Sequence, residues 1–377
     1  NSCTTRPGSR RSYINRCHSD IERLSLMYKN LLVTGGCGFI GANFIRYLLE
    51  ESDFSGKVIN IDNLTYAGNP DNLSGIEEDF PDRYRFDKID ICDKEEIAKI
   101  FNKYQIDSVC HFAAESHVDR SIVNPDTFIQ TNIIGTFNLL EIARSQMDNI
   151  KLFHHVSTDE VFGSLGKEGF FTEETSYKPN SPYASSKASS DHLVRAYYKT
   201  YNLPITISNC SNNYGPFQFP EKMIPLMILN AIEGESLPVY GDGLHIRDWL
   251  YVRDHCTAVW MIMKKGNHGE TYNVGGNNEL ENLKLVEIIC EILDEHKKLP
   301  DHRPRKELIT FVKDRPGHDR RYAIDFSKLK NALGWSPEES FETGIKKTIH
   351  WYLENTSWTD RVKSGEYLSW VKAHYDV

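Results

Sequence analysis

The sequence predicts an α/β protein with a doubly wound parallel sheet and a smaller mixed α/β lobe. Short apolar runs alternate with segments of helical period from Lys29 to Cys210, the first run leads into a glycine-rich turn, and loops become frequent after Asn212. Strands and helices alternating in this way form right-handed βαβ units that cover both faces of a sheet. The 377 residues, 40% of them hydrophobic, suffice for one large or two modest domains.

The first part of the chain carries six predicted strands and four predicted helices. A loop rich in Asn, Gly and Pro, at Asn63–Ser74, separates the second strand from the third. In chain order the strands are Lys29–Thr34, Lys57–Ile61, Arg83–Asp90, Asp107–Ala113, Lys151–Thr158 and Pro204–Cys210, and the helices are Gly41–Glu50, Lys94–Tyr104, Asp126–Gln146 and Tyr183–Tyr201.

The second part has shorter helices, including Leu283–His296 and Ser327–Leu333, and a segment near Asp254–Val274 that we expect to return to the first domain. We therefore predict a first domain of residues 28–208 plus about 248–274, and a lobe of residues 209–247 plus 275–377. Residues 1–27 are rich in Arg and Ser and lack the apolar centre of a secretory signal, so we predict a non-native or disordered tail.

Composition excludes several classes of protein. The formal charge of −9 disfavours a nucleic-acid partner. No apolar run approaches the ~20 residues that a membrane span requires. The eight cysteines are scattered without a CxxC pair, which predicts free thiols in a reducing cytoplasm.

The turn after the first strand carries glycines at 35, 38 and 41, which fits the Rossmann dinucleotide fingerprint. Gly35 permits the tight turn, Gly38 lets the backbone approach a pyrophosphate, and Gly41 allows close packing of helix on strand. Asp62 ends the second strand about 20 residues later, where an acid binds the adenosine ribose and repels a 2′-phosphate. The pattern favours NAD over NADP, although a turn or capping role for Asp62 is the plainer alternative.

A second set of residues suggests acid–base chemistry. Tyr183 and Lys187 are four apart on a predicted helix and share one face, where the ammonium and the positive nicotinamide would both lower the phenol pKa from near 10. Thr158 ends a strand and would complete a hydroxyl–phenol–ammonium relay. Asp159 and Glu160 follow it, and a simple alcohol dehydrogenase has no use for this pair. A solvated pair of loop acids is the structural alternative.

At this point the sequence resembles the dTDP-glucose 4,6-dehydratases of the extended short-chain dehydrogenase superfamily, from about residue 28 to near the C-terminus. One departure is Cys37, an oxidisable thiol where that family usually has alanine, and the first 26 residues match nothing in it. The resemblance rests on Thr34–Gly41, Phe112–Asp119, Ser157–Val161, Tyr183–Lys187, Asn209–Pro216 and Asp314–Asp319.

The resemblance implies a reaction in which each acidic group has a task. Tyr183, assisted by Thr158 and Lys187, would take the proton of the sugar's 4-hydroxyl while NAD accepts the hydride from carbon 4. The new ketone acidifies carbon 5, where Glu160 would remove the proton. Asp159, protonated, would donate to the departing 6-hydroxyl before the hydride returns to carbon 6. This reaction requires two neighbouring carboxyl groups, one protonated and the other ionised.

The resemblance also implies which residues contact the ligands. NAD contacts would be Gly35, Gly38, Phe39, Ile40, Gly41, Asp62, Asn63, Leu64, Thr65, Asp90, Ile91, Phe112, Ala113, Ala114, Ser116, Thr131, Tyr183, Lys187 and Asn213. Contacts to dTDP-glucose would be Ser116, Thr158, Asp159, Glu160, Asn212, Lys222, Met223, Pro238, Tyr240, Arg247, Asn282, Arg315 and His318. Arg and Lys suit its pyrophosphate.

Alternative functions remain at this stage. A nucleotide-sugar 4-epimerase or decarboxylase also oxidises carbon 4 but needs no acid pair beside Thr158, and GDP-sugar dehydratases generally prefer NADP, which Asp62 disfavours. A non-catalytic NAD-binding sensor typically lacks the tyrosine or the lysine, and both are present.

Two further expectations concern metals and assembly. His111, His117, His154 and His155 lack metal-ligand spacing, and we predict that they are packed and hydrogen-bonded, with no metal site. The resemblance implies a cytoplasmic homodimer that pairs helices of each subunit in a four-helix bundle. The predicted helices Asp126–Gln146 and Tyr183–Tyr201 are long enough for that role.

Overall fold

The computed structural model describes residues 28–363, so the tail predicted at residues 1–27 and the last part of the predicted lobe, residues 364–377, lie outside the described residues. The strands are β1 Asn30–Thr34, β2 Lys57–Asp62, β3 Tyr84–Lys88, β4 Ser108–His111, β5 Leu152–Thr158, β6 Ile205–Cys210, β7 Asn212–Tyr214, β8 Leu237–Tyr240, β9 Ile246–Tyr251, β10 Thr271–Val274, β11 Glu279–Glu281 and β12 Ile309–Val312. The α-helices are α1 Phe39–Arg46, α2 Ile76–Asp79, α3 Lys94–Tyr104, α4 Val118–Val123, α5 Pro125–Phe128, α6 Thr136–Ser145, α7 Pro182–Tyr201, α8 Met223–Glu233, α9 Val252–Lys265, α10 Asn282–His296, α11 Ser327–Leu333, α12 Phe341–Glu354 and α13 Thr356–Val362.

Seven parallel strands form the main sheet, in the order β10-β6-β5-β4-β1-β2-β3. Every residue of β5 is buried, as expected for a strand that has helices on both faces. The strand order reverses between β1 and β4, and ligands of such sheets bind at this reversal, beyond the carboxyl ends of the strands. The predicted doubly wound Rossmann-type sheet is confirmed.

Two small sheets and several helices form the second lobe. Strand β9 pairs antiparallel with β11 and parallel with β7, and β12 pairs parallel with β8. Helices α8, α10 and α12 pack around a separate core that includes the fully buried Ile228, Leu285 and Ile345. Between α8 and α10 the chain returns to the main sheet through α9 and β10, where Thr271 pairs with Ile207.

Several helices differ from the predicted ones. The predicted helix Gly41–Glu50 begins at Phe39 and ends as a π-helix at Tyr47–Glu51. The predicted helix Asp126–Gln146 is divided among α5, a π-helical segment at Ile129–Gly135, and α6. A change from i+4 to i+5 hydrogen bonding leaves little trace in residue periodicity. Helix α8 was not predicted because its residues are almost uniformly apolar, so it has no clear polar face.

The cysteines of the described part of the chain are free thiols, as predicted. Five of them are buried and Cys92 is partly exposed. Within residues 28–363, no helix combines the length and apolar character needed to cross a bilayer.

Candidate active site

The turn after β1 has the geometry that its glycines predict. Gly35 has a φ of +70°, and a Cβ atom there would lie 2.7 Å from the backbone of Ala113. A Cβ atom at Gly41 would lie 2.3 Å from the carbonyl oxygen of Gly35. Gly38 caps α1 without a side chain, so the first N–H groups of the helix face the turn. The turn is therefore shaped for the close approach of a phosphate group.

Asp62 holds this turn from the end of β2. Its carboxylate accepts hydrogen bonds from the backbone N–H groups of Cys37, at 3.0 Å, and Leu64, at 2.8 Å. Burial raises the pKa of Asp62, and these two N–H groups oppose the rise. Because an ionised carboxylate has about four acceptor positions, two remain for ribose hydroxyls.

Cys37, the departure in the glycine turn, is buried and 2% exposed. Burial is the main reason that the pKa of its thiol rises to about 12, with the Asp62 charge acting in the same direction. The Asn60 amide donates to the sulfur at 3.5 Å. The thiol is therefore neutral at physiological pH, which disfavours oxidation at this position.

A cleft of about 310 Å³, called here the first cavity, lies over the strand-order reversal. The residues predicted to contact NAD line it, with the exception of Leu64. The Leu64 side chain packs against the core beneath α1 while its backbone N–H binds Asp62. A direct contact by the Leu64 side chain is therefore not supported. The predicted residues that line the cavity are Gly35, Gly38, Phe39, Ile40, Gly41, Asp62, Asn63, Thr65, Asp90, Ile91, Phe112, Ala113, Ala114, Ser116, Thr131, Tyr183, Lys187 and Asn213.

The acid pair lies in a 3₁₀ turn, Asp159–Phe162, directly after β5. The Thr158 hydroxyl accepts a hydrogen bond from the Glu160 backbone at 3.3 Å and starts this turn. Both carboxyl residues line the first cavity, and Asp159 is only 1% exposed. The carboxyl end of a central strand thus places two acids where a ligand of this fold binds.

The two acids have different electrostatic surroundings. Burial raises the pKa of Asp159 well above its usual range, and the charges of Glu160 and Asp248 raise it further. Burial also raises the pKa of Glu160, but Arg315, Arg247 and Lys222 oppose that rise. The pair therefore favours a protonated Asp159 beside an ionised Glu160.

Tyr183 and Lys187 lie on the buried face of α7. The helix begins with Pro182, and the Ser181 hydroxyl caps it by accepting a hydrogen bond from the Ala184 N–H at 3.1 Å. The Lys187 amine donates to the Val156 carbonyl at 2.9 Å. Both side chains line the first cavity.

In the chain by itself the pKa of Tyr183 is raised, not lowered, and the lowering expected from a bound nicotinamide stays a prediction. Burial raises this pKa well above 10, the Glu160 and Cys210 side chains raise it further, and the hydrogen bond to Thr158 opposes the rise. Burial also lowers the pKa of Lys187. Sequence spacing places the two groups on one face but does not reveal how strongly both are desolvated.

A second cavity of about 160 Å³ opens from the first toward the smaller lobe. The two share Ser116, Glu160, Asn212, Glu221 and Lys222. Every residue predicted to contact the substrate lines one cavity or both. Thr158 and Asp159 line the first, and the second is lined by Ser116, Glu160, Asn212, Lys222, Met223, Pro238, Tyr240, Arg247, Asn282, Arg315 and His318.

The second cavity is suited to an anionic ligand. Arg315 pairs with Asp119 at 3.2 Å, while its buried Nε has no hydrogen-bond partner among the described residues. Arg247 is 5% exposed and donates to the Asp319 carbonyl at 2.9 Å. Lys222 donates to the Ser116 carbonyl at 2.7 Å. Three cations on the wall of one cavity are chemically suited to a diphosphate.

One cluster in the described chain resembles a metal site, although its residues are not the histidines considered above. Ligand atoms of His245, Asp314 and His318 lie within 4.8 Å of one another. The two imidazole rings stack at 3.7 Å with planes 15° apart. Nearly parallel rings do not direct their in-plane lone pairs at one ion at a bond length of about 2.1 Å. His111 and His154 are bonded to threonine and serine hydroxyls, as predicted.

Sequence reasoning missed some residues of the cavity walls. Asp119 holds Arg315 and Tyr240, and it lies in the Phe112–Asp119 string, so its position was available. Tyr66 and Glu221 lie on the wall of the first cavity, in loops that carry no recognisable motif.

Comparisons with known proteins identify the family of this chain. Residues 32–348 match the family model described as GDP-mannose 4,6 dehydratase. The dTDP-glucose 4,6-dehydratase of Salmonella typhimurium strain LT2 is 54% identical over 363 residues, covering 92% of this chain and 99% of that protein.

Solved structures extend the similarity to three dimensions. The dTDP-glucose 4,6-dehydratase of Bacillus anthracis in complex with NAD has a TM-score of 0.79 and 47% identity, covering 89% of this chain and 100% of that one. The dTDP-glucose 4,6-dehydratase of Streptomyces venezuelae, also with NAD bound, has a TM-score of 0.82 and 43% identity, covering 89% of this chain and 100% of that one.

Proposed function

The chain belongs to the GDP-mannose 4,6-dehydratase family, and from that premise we propose that it converts dTDP-glucose to dTDP-4-keto-6-deoxy-glucose with bound NAD. The observation that carries this proposal is the acid pair Asp159 and Glu160 on the wall of the first cavity. A 4-epimerase would need only the tyrosine and the cofactor. The protein is a hydro-lyase that uses the second acid to expel water.

The residues around the first cavity fit NAD. The glycine turn leaves no room for a Cβ atom at Gly35 or Gly41, and Asp62 faces the cavity with spare acceptor positions. NAD, when bound, takes the hydride from carbon 4 and gives it back to carbon 6. A carboxylate at position 62 disfavours the 2′-phosphate of NADP.

Tyr183 takes the proton of the 4-hydroxyl in the first step, the oxidation of carbon 4. The Thr158 hydroxyl bonds to it and lowers its pKa, against the larger effect of burial. Lys187 lies one helical turn further along on the same face and is held by the Val156 carbonyl. Tyr183 and Lys187 thus form a buried pair whose proton transfers are shielded from water.

The acid pair Asp159 and Glu160 carries out the elimination of water. Glu160, near three cations, is the base that removes the proton from carbon 5. Asp159, whose pKa burial and the Glu160 charge raise, holds the proton that the departing 6-hydroxyl needs. Because that pKa is raised, Asp159 keeps its proton up to a higher pH than an ordinary carboxyl and loses it as the pH rises further.

The nucleotide part of the substrate occupies the second cavity. Arg247, Arg315 and Lys222 bind the diphosphate, and the apolar side chains of Met227 and Trp249 border the space for the base. In the predicted division of the chain, the lobe of residues 209–247 plus 275–377 takes the nucleotide, and residues 28–208 plus about 248–274 take the cofactor.

A substrate panel tests the function. Purified protein incubated with dTDP-glucose is expected to give a 4-keto-6-deoxy sugar, measured by its ultraviolet absorbance in alkali. UDP-glucose and GDP-glucose, offered in parallel, should give far less of this product. Conversion of UDP-glucose to UDP-galactose without any dTDP-keto sugar would establish the 4-epimerase instead.

We also propose that the protein is a cytoplasmic homodimer. Its free thiols suit a reducing compartment. Large apolar side chains are exposed along the segments from α4 to α6 and at the end of α7, which is unusual for a monomer surface. These residues are Ile122, Val123, Ile129, Ile134, Phe137, Met147 and Tyr201.

Charge placed on this surface is expected to separate the subunits. Ile134→Glu would bury a carboxylate in the interface, so its apparent dimer dissociation constant should rise at least about tenfold, which corresponds to about 1.4 kcal/mol. Light scattering across a dilution series measures this. Phe170→Glu is the matched control, because Phe170 is 52% exposed on a different part of the surface. A wild-type protein that is monomeric throughout the series would contradict the proposal.

A further inference from the structure

Part of the wall of the first cavity takes no role in the reaction described above. Tyr66, in the loop after β2, meets Phe219 across the cleft in an edge-to-face contact with ring centroids 5.7 Å apart. Glu221 follows Phe219 in the loop that precedes α8, and its side chain is 1% exposed. All three line the first cavity, so the loops from both sides of the cleft close against each other here.

Arg120 of α4 ties these two loops together. Its guanidinium carbon lies 3.8 Å from the centroid of the Tyr66 ring, and its Nε donates to Glu221 at 3.1 Å. One cation thus contacts the aromatic ring of one loop and the carboxylate of the other. Opening the wall would separate this cation from both partners and would expose the Glu221 charge, which is otherwise buried.

The charges around Tyr66 also favour its contact with Arg120. Burial raises the pKa of Tyr66 well above its usual range, and the charges of Glu221 and Glu115 raise it further, while Arg120 opposes them. Tyr66 is therefore neutral, its ring faces the Arg120 guanidinium, and its hydroxyl is hydrogen-bonded to the Glu221 carboxylate. The contact is built from complementary charges rather than from apolar packing alone.

We propose that Tyr66, Arg120 and Glu221 form a clasp that keeps the cofactor bound throughout the reaction cycle. The inference rests on the proposed function, in which the cofactor molecule that oxidises carbon 4 must also reduce carbon 6. Loss of the cofactor between these events would leave a stranded keto sugar. The three residues are positioning residues, because they act on retention and not on the reacting atoms.

If the clasp retains NAD, variants that break it should release NAD from the holoenzyme faster than the wild type does. Tyr66→Ala should raise this rate at least about tenfold, equal to about 1.4 kcal/mol, and Glu221→Gln should also raise it. Tyr66→Phe keeps the ring over the guanidinium but loses the hydrogen bond from the hydroxyl to Glu221, so its rate should lie between those of wild type and Tyr66→Ala. The rate is measured without sugar, by trapping released NAD with excess alcohol dehydrogenase and ethanol and following the absorbance of the NADH formed.

Tyr104→Ala is the matched control. Tyr104 also has a cation over its ring, Lys103 at 4.5 Å, and a carboxylate on its hydroxyl, Asp87 at 2.7 Å, but it lies outside both cavities. It should leave the NAD dissociation rate unchanged. In turnover, added NAD should restore the activity of Tyr66→Ala, which a merely structural defect would not allow.

Two results overturn the clasp: an unchanged dissociation rate in Tyr66→Ala, or an equal increase in Tyr104→Ala. A wild-type protein that holds NAD but does not convert dTDP-glucose would overturn the proposed function instead. The dissociation rates would still decide whether these residues retain the cofactor.

Discussion

Replacing Glu160 with glutamine is expected to stop the loss of water while the first oxidation continues. Glutamine has the same shape but cannot accept the proton from carbon 5, so product formation should fall by about 10²–10⁴-fold, the usual contribution of a general base. Oxidation at carbon 4 depends on Tyr183 and should survive. Mixing the variant with dTDP-glucose should therefore produce a lasting absorbance signal of enzyme-bound NADH, measured by stopped-flow.

The variant has a simple control in Glu168→Gln. Glu168 is exposed, follows the same turn by a few residues, and lines neither cavity. It should react at the wild-type rate and show no lasting signal. Normal dehydration by Glu160→Gln would remove Glu160 from the elimination step and would make Asp159 the next residue to test.

Much of the fold was predictable because its signals are local. Helix α3 was predicted with its observed ends, since Asp93 caps its start and its apolar residues Ile97, Ile100 and Phe101 follow the helical period. Strand β5 was likewise predicted, as Lys151–Thr158, but the burial of its His154 and His155 side chains could not be read from the sequence pattern. The second lobe was less predictable, because its strands have three to six residues and pair across distant parts of the chain.

The residues of the candidate site were predictable where they belong to motifs, but their energetics were not. Spacing placed Tyr183 and Lys187 on one helical face, and both line the first cavity. The sign of the Tyr183 pKa shift depends on how deeply the phenol is buried, which is a property of the packed protein. The contact between Tyr66 and Glu221 joins loops about 150 residues apart, so no local pattern could reveal it.

Replacing Tyr183 with phenylalanine is expected to block the reaction at its first step. Phenylalanine fills the same buried space on α7, so the fold and NAD binding should remain. Without the hydroxyl the proposed acceptor of the 4-hydroxyl proton is lost, and oxidation should slow by about 10²–10⁴-fold. In contrast to Glu160→Gln, this variant should show neither product nor the NADH signal on mixing with dTDP-glucose.

Tyr197→Phe is the control for this variant. It also removes a buried hydroxyl from the same helix, but this hydroxyl has no role in the proposed chemistry. Tyr197 is 6% exposed, donates to Glu141 at 2.7 Å, and lies outside both cavities. Its removal should lower the thermal midpoint of unfolding slightly while leaving turnover intact. A Tyr183→Phe protein that still reduces its NAD with dTDP-glucose would show that another base serves carbon 4. Glu160 would then be the first residue to test, because its charge already acts on Tyr183 in the folded chain.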